Sequence, residues 1–181
     1  MMKRIYETLH INDNCYTPDY AVRPLLKYLE KFKGKTIWLP FDTEESEYVK
    51  ILTAEGHKVV FSHIDTGDNF YDFDDGLFAK DMPEFDLIVS NPPFHNKARL
   101  VERIISFGKP FALLLPMTWL NDSAPYRLFS RGGGEKNQGL ELMIFDRRIK
   151  FKNCGNQPSF GCGYYCRGIL PEKIVFESLG V

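Results

Sequence analysis

The sequence predicts an α/β domain of three layers, built on a mostly parallel sheet with an antiparallel C-terminal strand. Short apolar runs alternate with longer segments whose apolar residues recur at helical spacing, the order that builds crossover units around a parallel sheet. Two of the runs, Leu87-Ile88-Val89 and Phe111-Ala112-Leu113-Leu114-Leu115, are continuously apolar, as strands covered on both faces are. The chain has 181 residues, 44% hydrophobic and 14% aromatic, enough for the core of one domain. No repeat or composition shift divides it, so residues 1–181 read as a single domain.

Charge and composition exclude several classes. The formal net charge is −1, so no global positive field draws in nucleic acid, and any such contact must come from a local basic patch. The sequence has no apolar run of about 18 residues and no signal peptide, which predicts a cytoplasmic chain that neither spans a membrane nor is secreted. The cysteines, Cys15, Cys154, Cys162 and Cys166, follow no spacing of a zinc site. They are expected as thiols, with no metal.

Met1 to Asn14 suggests one short element. Thr17 is a good N-cap and Pro18 a good first helical residue. Ala21, Leu25, Tyr28, Leu29 and Phe32 then mark an amphipathic helix ending at Gly34, with Pro24 in its first turns or at a kink. Thr36 to Leu39 is the first strand. It leads into the turn Pro40-Phe41-Asp42-Thr43-Glu44-Glu45-Ser46, which contains no glycine. A helix through Tyr48, Val49 and Leu52 follows, closed by Gly56; acids at its start suit the helix dipole. Lys58 to Ser62 is the second strand. Nucleotide-binding α/β folds carry an acid near this strand's end, where this chain has Ser62-His63-Ile64-Asp65; His63 reads as a loop histidine, and no Ser-His-Asp triad is supported. Gly67-Asp68-Asn69-Phe70-Tyr71 has the composition of a turn. The acidic run Asp72 to Asp81 reads as a solvated loop and helix edge.

The strand at Leu87 to Ser90 stops at Asn91-Pro92-Pro93-Phe94. Two prolines fix φ and remove two donors, so neither strand nor helix continues. In open α/β sheets ligands sit outside the carboxyl ends of strands, which is where this corner falls. The Asn91 amide oxygen and the Pro92 carbonyl together accept both hydrogens of an exocyclic amine, and Phe94 offers a face on which a base stacks. Here the sequence resembles the S-adenosylmethionine-dependent N6-adenine methyltransferases, whose signature (Asn/Asp/Ser)-Pro-Pro-(Tyr/Phe/Trp) it carries as Asn91-Pro92-Pro93-Phe94. The likeness spans Tyr16 to about Phe176 and is greatest to small phage and prophage proteins of this type.

That resemblance implies the Rossmann-like class I methyltransferase fold, S-adenosylmethionine as cofactor, and adenine in DNA, with RNA or tRNA a near second, as substrate. It implies catalytic roles for Asn91, Pro92, Pro93 and Phe94. It implies cofactor contacts from Tyr16, Thr17 and Pro18 at the methionine end, from Pro40, Phe41 and Asp42 at the first turn, and from Asp68 and Phe70 at the adenine. The family's first turn is glycine-rich; this one is not.

Lys97 to Phe107 is a helix burying Leu100, Val101, Ile104 and Ile105. Phe111 to Leu115 is a strand, and Trp119 beyond its end is either a core residue or a wall of the target pocket. A short helix through Tyr126, Leu128 and Phe129 precedes Arg131-Gly132-Gly133-Gly134-Glu135-Lys136, a linker or a flap over substrate. Leu140 to Phe145 is a strand. Arg147-Arg148-Ile149-Lys150-Phe151-Lys152 is the densest positive patch, either a charged strand edge or a phosphate contact from Arg147, Arg148 and Lys150. Asn153 to Gly168 reads as a loop leading into Tyr164-Tyr165. By resemblance, Phe160 packs on the target base opposite Phe94. Ile174 to Phe176 would close the sheet as its antiparallel strand.

Sequence-specific relatives carry a separate recognition domain, which has no counterpart here. Specificity would be low, or come from residues 122–139 and 147–152, or from a protein partner. Two other readings stay open: a catalytically silent binding protein of the same fold, and a methyltransferase acting on protein glutamine or a small amine.

Overall fold

The computed structural model describes residues 15–71, 82–130 and 139–181. The element expected before Cys15, the acidic run Asp72 to Asp81 and the glycine loop Arg131 to Lys136 lie outside the described residues. Seven strands are described: β1 (Thr36–Leu39), β2 (Lys58–Phe61), β3 (Leu87–Ser90), β4 (Phe111–Pro116), β5 (Glu141–Phe145), β6 (Cys162–Arg167) and β7 (Ile174–Glu177). They form one sheet in the order β2-β1-β3-β4-β6-β5-β7. Neighbours pair parallel except at β6, which runs antiparallel to both β4 and β5. The chain therefore has the expected α/β class and a mostly parallel sheet.

The reversed strand is not the expected segment. Residues 174–177 pair parallel with β5 at the sheet's edge, and residues 162–167, expected as loop, supply the antiparallel strand. Gly163 accounts for the misreading. A side chain there would come within 2.6 Å of the Met143 carbonyl oxygen and 2.8 Å of Met117 Sδ, so this glycine marks a close approach between strands and not a break.

Side chains alternate between the two faces of the sheet. Ile37, Leu39, Leu87, Val89, Ala112 and Leu114 join one apolar cluster with Val22, Leu25, Leu29 and the buried side of α3 (Glu47–Ala54). Trp38, Ile88, Phe111, Leu113 and Leu115 join a second with Leu100, Val101 and Ile104 of α4 (Lys97–Ser106). Leu128 and Phe129 of α5 (Ser123–Phe129) pack against that second cluster. Helices cover both faces, and three layers result.

The first helical stretch is α1 (Asp19–Val22) and α2 (Leu26–Leu29), separated by a 3-10 turn at Arg23–Leu25 that accommodates Pro24. Pro18 occupies the capping position, without a side-chain bond. Thr17, expected as the cap, is buried instead, because Cys15 to Pro18 is drawn inward beside residue 152. Tyr16 and Lys152 exchange backbone hydrogen bonds of 2.9 and 2.8 Å. A disulfide between Cys15 and Cys154 fastens the same junction, contrary to the expectation of four thiols; Cys162 and Cys166 remain buried thiols. No helix among the described residues is long and apolar enough to cross a membrane.

Candidate functional site

Within the sheet, β1 lies between β2 and β3, so the strand order switches direction between β1 and β3, the place where open α/β sheets bind ligands at the strands' carboxyl ends. Two turns lie at that switch point: Pro40–Ser46 after β1, and Asn91–Phe94 after β3. Ser90 and Pro92 are buried, Asn91 and Phe94 half-buried, and Pro93 exposed. The Asn91 amide nitrogen donates to the Cys15 carbonyl at 3.4 Å. That contact fixes the orientation of the amide. Its oxygen is left buried, with no donor among the described residues, at a cost of about 1–3 kcal/mol. Native structures seldom leave such an acceptor orphaned, and where they do a ligand that supplies the donor is one explanation.

Phe94 and Phe160, expected to flank a base, are brought together. Their centroids stand 6.0 Å apart at 60°, an ordinary edge-to-face contact. Nothing is interposed, so a base entering there must part the two rings.

The Pro40–Ser46 turn is held by polar contacts. Asp42 N–H donates to the Ser62 carbonyl at 3.2 Å. The Asp42 carboxylate accepts from Ser46 Oγ at 2.6 Å and from Ser90 Oγ at 2.8 Å. Ser46 Oγ in turn accepts from Tyr48 N–H at 3.2 Å, capping α3. Burial pushes the Asp42 carboxyl up to about 6, against the two serine hydrogen bonds that pull it down. Asp42 was expected to catch the cofactor's amino group. Its carboxylate instead bridges the two turns, and the residue as a whole is buried at 9% exposure. Pro40 is buried and Phe41 half-buried. Beneath them Tyr48 and Tyr164 share a hydrogen bond of 2.8 Å, and Tyr164 donates to the Ala21 carbonyl at 3.1 Å. Burial holds both phenols well above their ordinary range.

Two other candidate site residues are packed in the core. Phe70 is 3% exposed, ringed by Phe41 at 4.9 Å, Trp38 at 5.7 Å and Phe107 at 6.2 Å, with the Arg103 guanidinium 5.5 Å from its centroid. It is a core residue, with no open face for an adenine. Trp119 is likewise core, 2% exposed and 5.5 Å from the Tyr165 ring. His63 accepts from Asp65 N–H at 3.1 Å and caps a 3-10 turn at Ile64–Thr66, a loop histidine as read. Asp68 stays half-buried, its carboxylate accepting from Thr66 Oγ1 at 3.3 Å.

The basic run is a loop after β5, anchored by buried Ile149 and Phe151. Gln157 clasps Phe151 through both backbone groups, at 2.9 and 2.7 Å, and the Tyr20 hydroxyl bonds Lys150 N–H at 2.9 Å and its carbonyl at 3.1 Å. Arg147 turns to Asp146 and the Val181 carbonyl, and Lys152 pairs with Glu47 at 3.0 Å. Arg148 and Lys150 are exposed and form no ion pair among the described residues. Sequence reasoning missed three members of this neighbourhood: Ser90, Ser46 and the Cys15 carbonyl. A polar residue closing an otherwise apolar strand was the only signal for Ser90.

Two surface hollows lie away from these turns. One, about 450 Å³, is at the amino ends of β1 and β3 beside Thr36, Asp86 and Lys109. The other, about 240 Å³, lies between Tyr71 and the Arg99, Glu102, Arg103 flank of α4.

The sequence matches no protein-family model and no curated protein. Among solved structures, the chain is similar to the crystal structure of a modification subunit of a putative type I restriction enzyme from Vibrio vulnificus YJ016, with a TM-score of 0.44 and 13% identity over 92% of this chain. The chain spans 46% of that protein's length. Its own strand order, and not this likeness, establishes the fold class.

Proposed function

We propose that this chain transfers a methyl group from S-adenosylmethionine to the N6 amine of adenine in nucleic acid, DNA before RNA. One observation carries the reading: the Asn-Pro-Pro-Phe corner follows a central strand at its carboxyl end and holds a buried amide oxygen that lacks a donor among the described residues. An exocyclic amine supplies that donor. With the Pro92 carbonyl taking the second N–H, the nitrogen lone pair is drawn out of conjugation with the ring and held toward the methyl donor. Phe94, with Phe160 displaced to the far side, stacks the base, a contact worth roughly 1–3 kcal/mol. The target base is flipped out or already unpaired. Tyr16, 49% exposed, with Phe41 and Asp68, would hold the cofactor, which supplies a methyl group on a sulfonium. The chain's own work is positioning the amine and stabilising the charge it acquires, with no covalent enzyme intermediate.

Asn91→Ala is expected to lower transfer by roughly 10²-fold or more, while calorimetric affinity for S-adenosylmethionine stays unchanged. Turnover retained in that variant removes Asn91 from the reaction.

A second reading, a silent base- or partner-binding module, is favoured by specific features. The first turn lacks glycine, its carboxylate is engaged inside the protein, Phe70 is in the core, and neither hollow borders the motif. Titration with S-adenosylmethionine, followed by labelled methyl transfer to DNA, tRNA and protein, separates the readings. Cofactor binding with transfer to nucleic acid supports the enzyme, absence of binding supports the silent module, and transfer confined to protein moves the substrate to glutamine.

A further inference from the structure

We infer that Asp42 is a positioning residue: through Ser90 it locks the turn after β1 to the Asn-Pro-Pro-Phe corner, setting the distance over which the methyl group travels. The inference rests on the methyltransferase reading and adds to it a residue that never touches substrate.

The geometry is that of a strut. One carboxylate oxygen accepts from Ser46 Oγ at 2.6 Å, within its own turn and at the cap of α3. The other accepts from Ser90 Oγ at 2.8 Å, on the neighbouring strand. Ser90 is 0% exposed and directly precedes Asn91. The backbone ladder between β1 and β3 has already ended: its register runs through Ile37↔Leu87 and Trp38↔Ile88. Among the described residues no β1–β3 pairing continues beyond that point, and the Asp42–Ser90 bond is a side-chain link that spans the two turns. Charge-assisted O–H···O⁻ bonds are short and about twice as strong as neutral ones, and both are buried here, where water does not compete. Alignment is what such a brace supplies, since a misplacement of about 1 Å between reacting groups costs roughly 10²-fold in rate.

The test compares Asp42→Asn, Asp42→Ala and Ser90→Ala with the parent chain. An amide at position 42 still accepts one serine hydroxyl and donates to the other, so Asp42→Asn is expected to keep turnover within about threefold. Asp42→Ala and Ser90→Ala are expected to lower kcat by roughly 10- to 100-fold, with the KM for S-adenosylmethionine and for the oligonucleotide moving less than threefold. A residue needed only for folding would lower the active fraction of all variants alike, and circular dichroism separates that case. Should Asp42→Ala fail to fold, Ser90→Ala, which removes one hydroxyl, decides alone. A parent chain that binds no S-adenosylmethionine overturns the functional reading and this inference with it. A parent chain that turns over while Ser90→Ala matches it overturns the inference alone, as does a loss that falls on KM.

Discussion

At the scale of single residues, Asp42 sits where the fold gives a charge least water. Its carboxyl moves from the ordinary 3.8 up to about 6, with burial the dominant cause. A raised folded-state value means the folded chain binds the proton more tightly than the unfolded one. The associated stability is fully present below about pH 4 and is lost as pH rises through about 6. The shift corresponds to about 3 kcal/mol. Asp42→Asn has no such titration, so its stability relative to the parent chain should rise by about that amount between pH 4 and pH 7. Urea unfolding of the two chains across that range checks it; a stability difference independent of pH would mean Asp42 titrates normally. None of this was legible in the sequence. Asp42, Ser46 and Ser90 are ordinary polar residues, and their convergence depends on β1 and β3 being neighbours. Asn91 was legible, because two successive prolines announce a fixed corner without knowledge of the fold. Phe70 and Trp119 were not: an aromatic at the edge of a site and one in the core look alike until the packing around each ring is known.

At the scale of elements, what could be read was whatever repeats locally. β1 to β4, α3 and α4 follow from apolar runs and helical spacing, and the structure has them within a residue or two of the expected bounds. β6 escaped because Gly161, Cys162 and Gly163 are the residues of loops, and only the closeness of Met143 and Met117 explains a glycine in that strand. The Cys15–Cys154 disulfide escaped because its partners lie 139 residues apart. It ties the segment whose carbonyl receives Asn91 to the loop that precedes Phe160, so it braces two sides of the candidate site. Closing a loop that long stabilises by about 5 kcal/mol on chain-entropy grounds, with 2–4 more typical of measured cases. Cys154→Ser, or a reductant, should therefore lower the unfolding free energy by about 2–5 kcal/mol, read by denaturant titration with and without dithiothreitol. Curves that coincide would mean the two sulfurs are not bonded in solution.

At the scale of the whole molecule, a chain of net charge −1 must meet a polyanion through a small part of its surface. Under the proposed function the run from Arg147 to Lys152 is the candidate for that part, and the structure divides it. Arg147 and Lys152 are engaged by Asp146, the Val181 carbonyl and Glu47, while Arg148 and Lys150 stand exposed on a loop whose apolar residues are anchored in the core. The anchoring matters as much as the charge, because a loop held by Ile149, Phe151, Gln157 and Tyr20 presents its two cations with little ordering left to do on binding. Two phosphate contacts release about 0.9 counterion each on duplex DNA and about 0.7 on a single strand. Replacing both residues with Ala should then weaken binding of an oligonucleotide by a similar factor whatever its sequence. It should also reduce the slope of log affinity against log salt by about 1.4 to 1.8. Fluorescence anisotropy at 50 to 200 mM salt measures both quantities. Arg147→Ala, a cation already satisfied within the protein, should leave the slope nearly where it was. If all three replacements change the slope equally, the patch acts only through its summed charge. If none does, nucleic acid approaches from another face and the loop is a charged edge of the sheet.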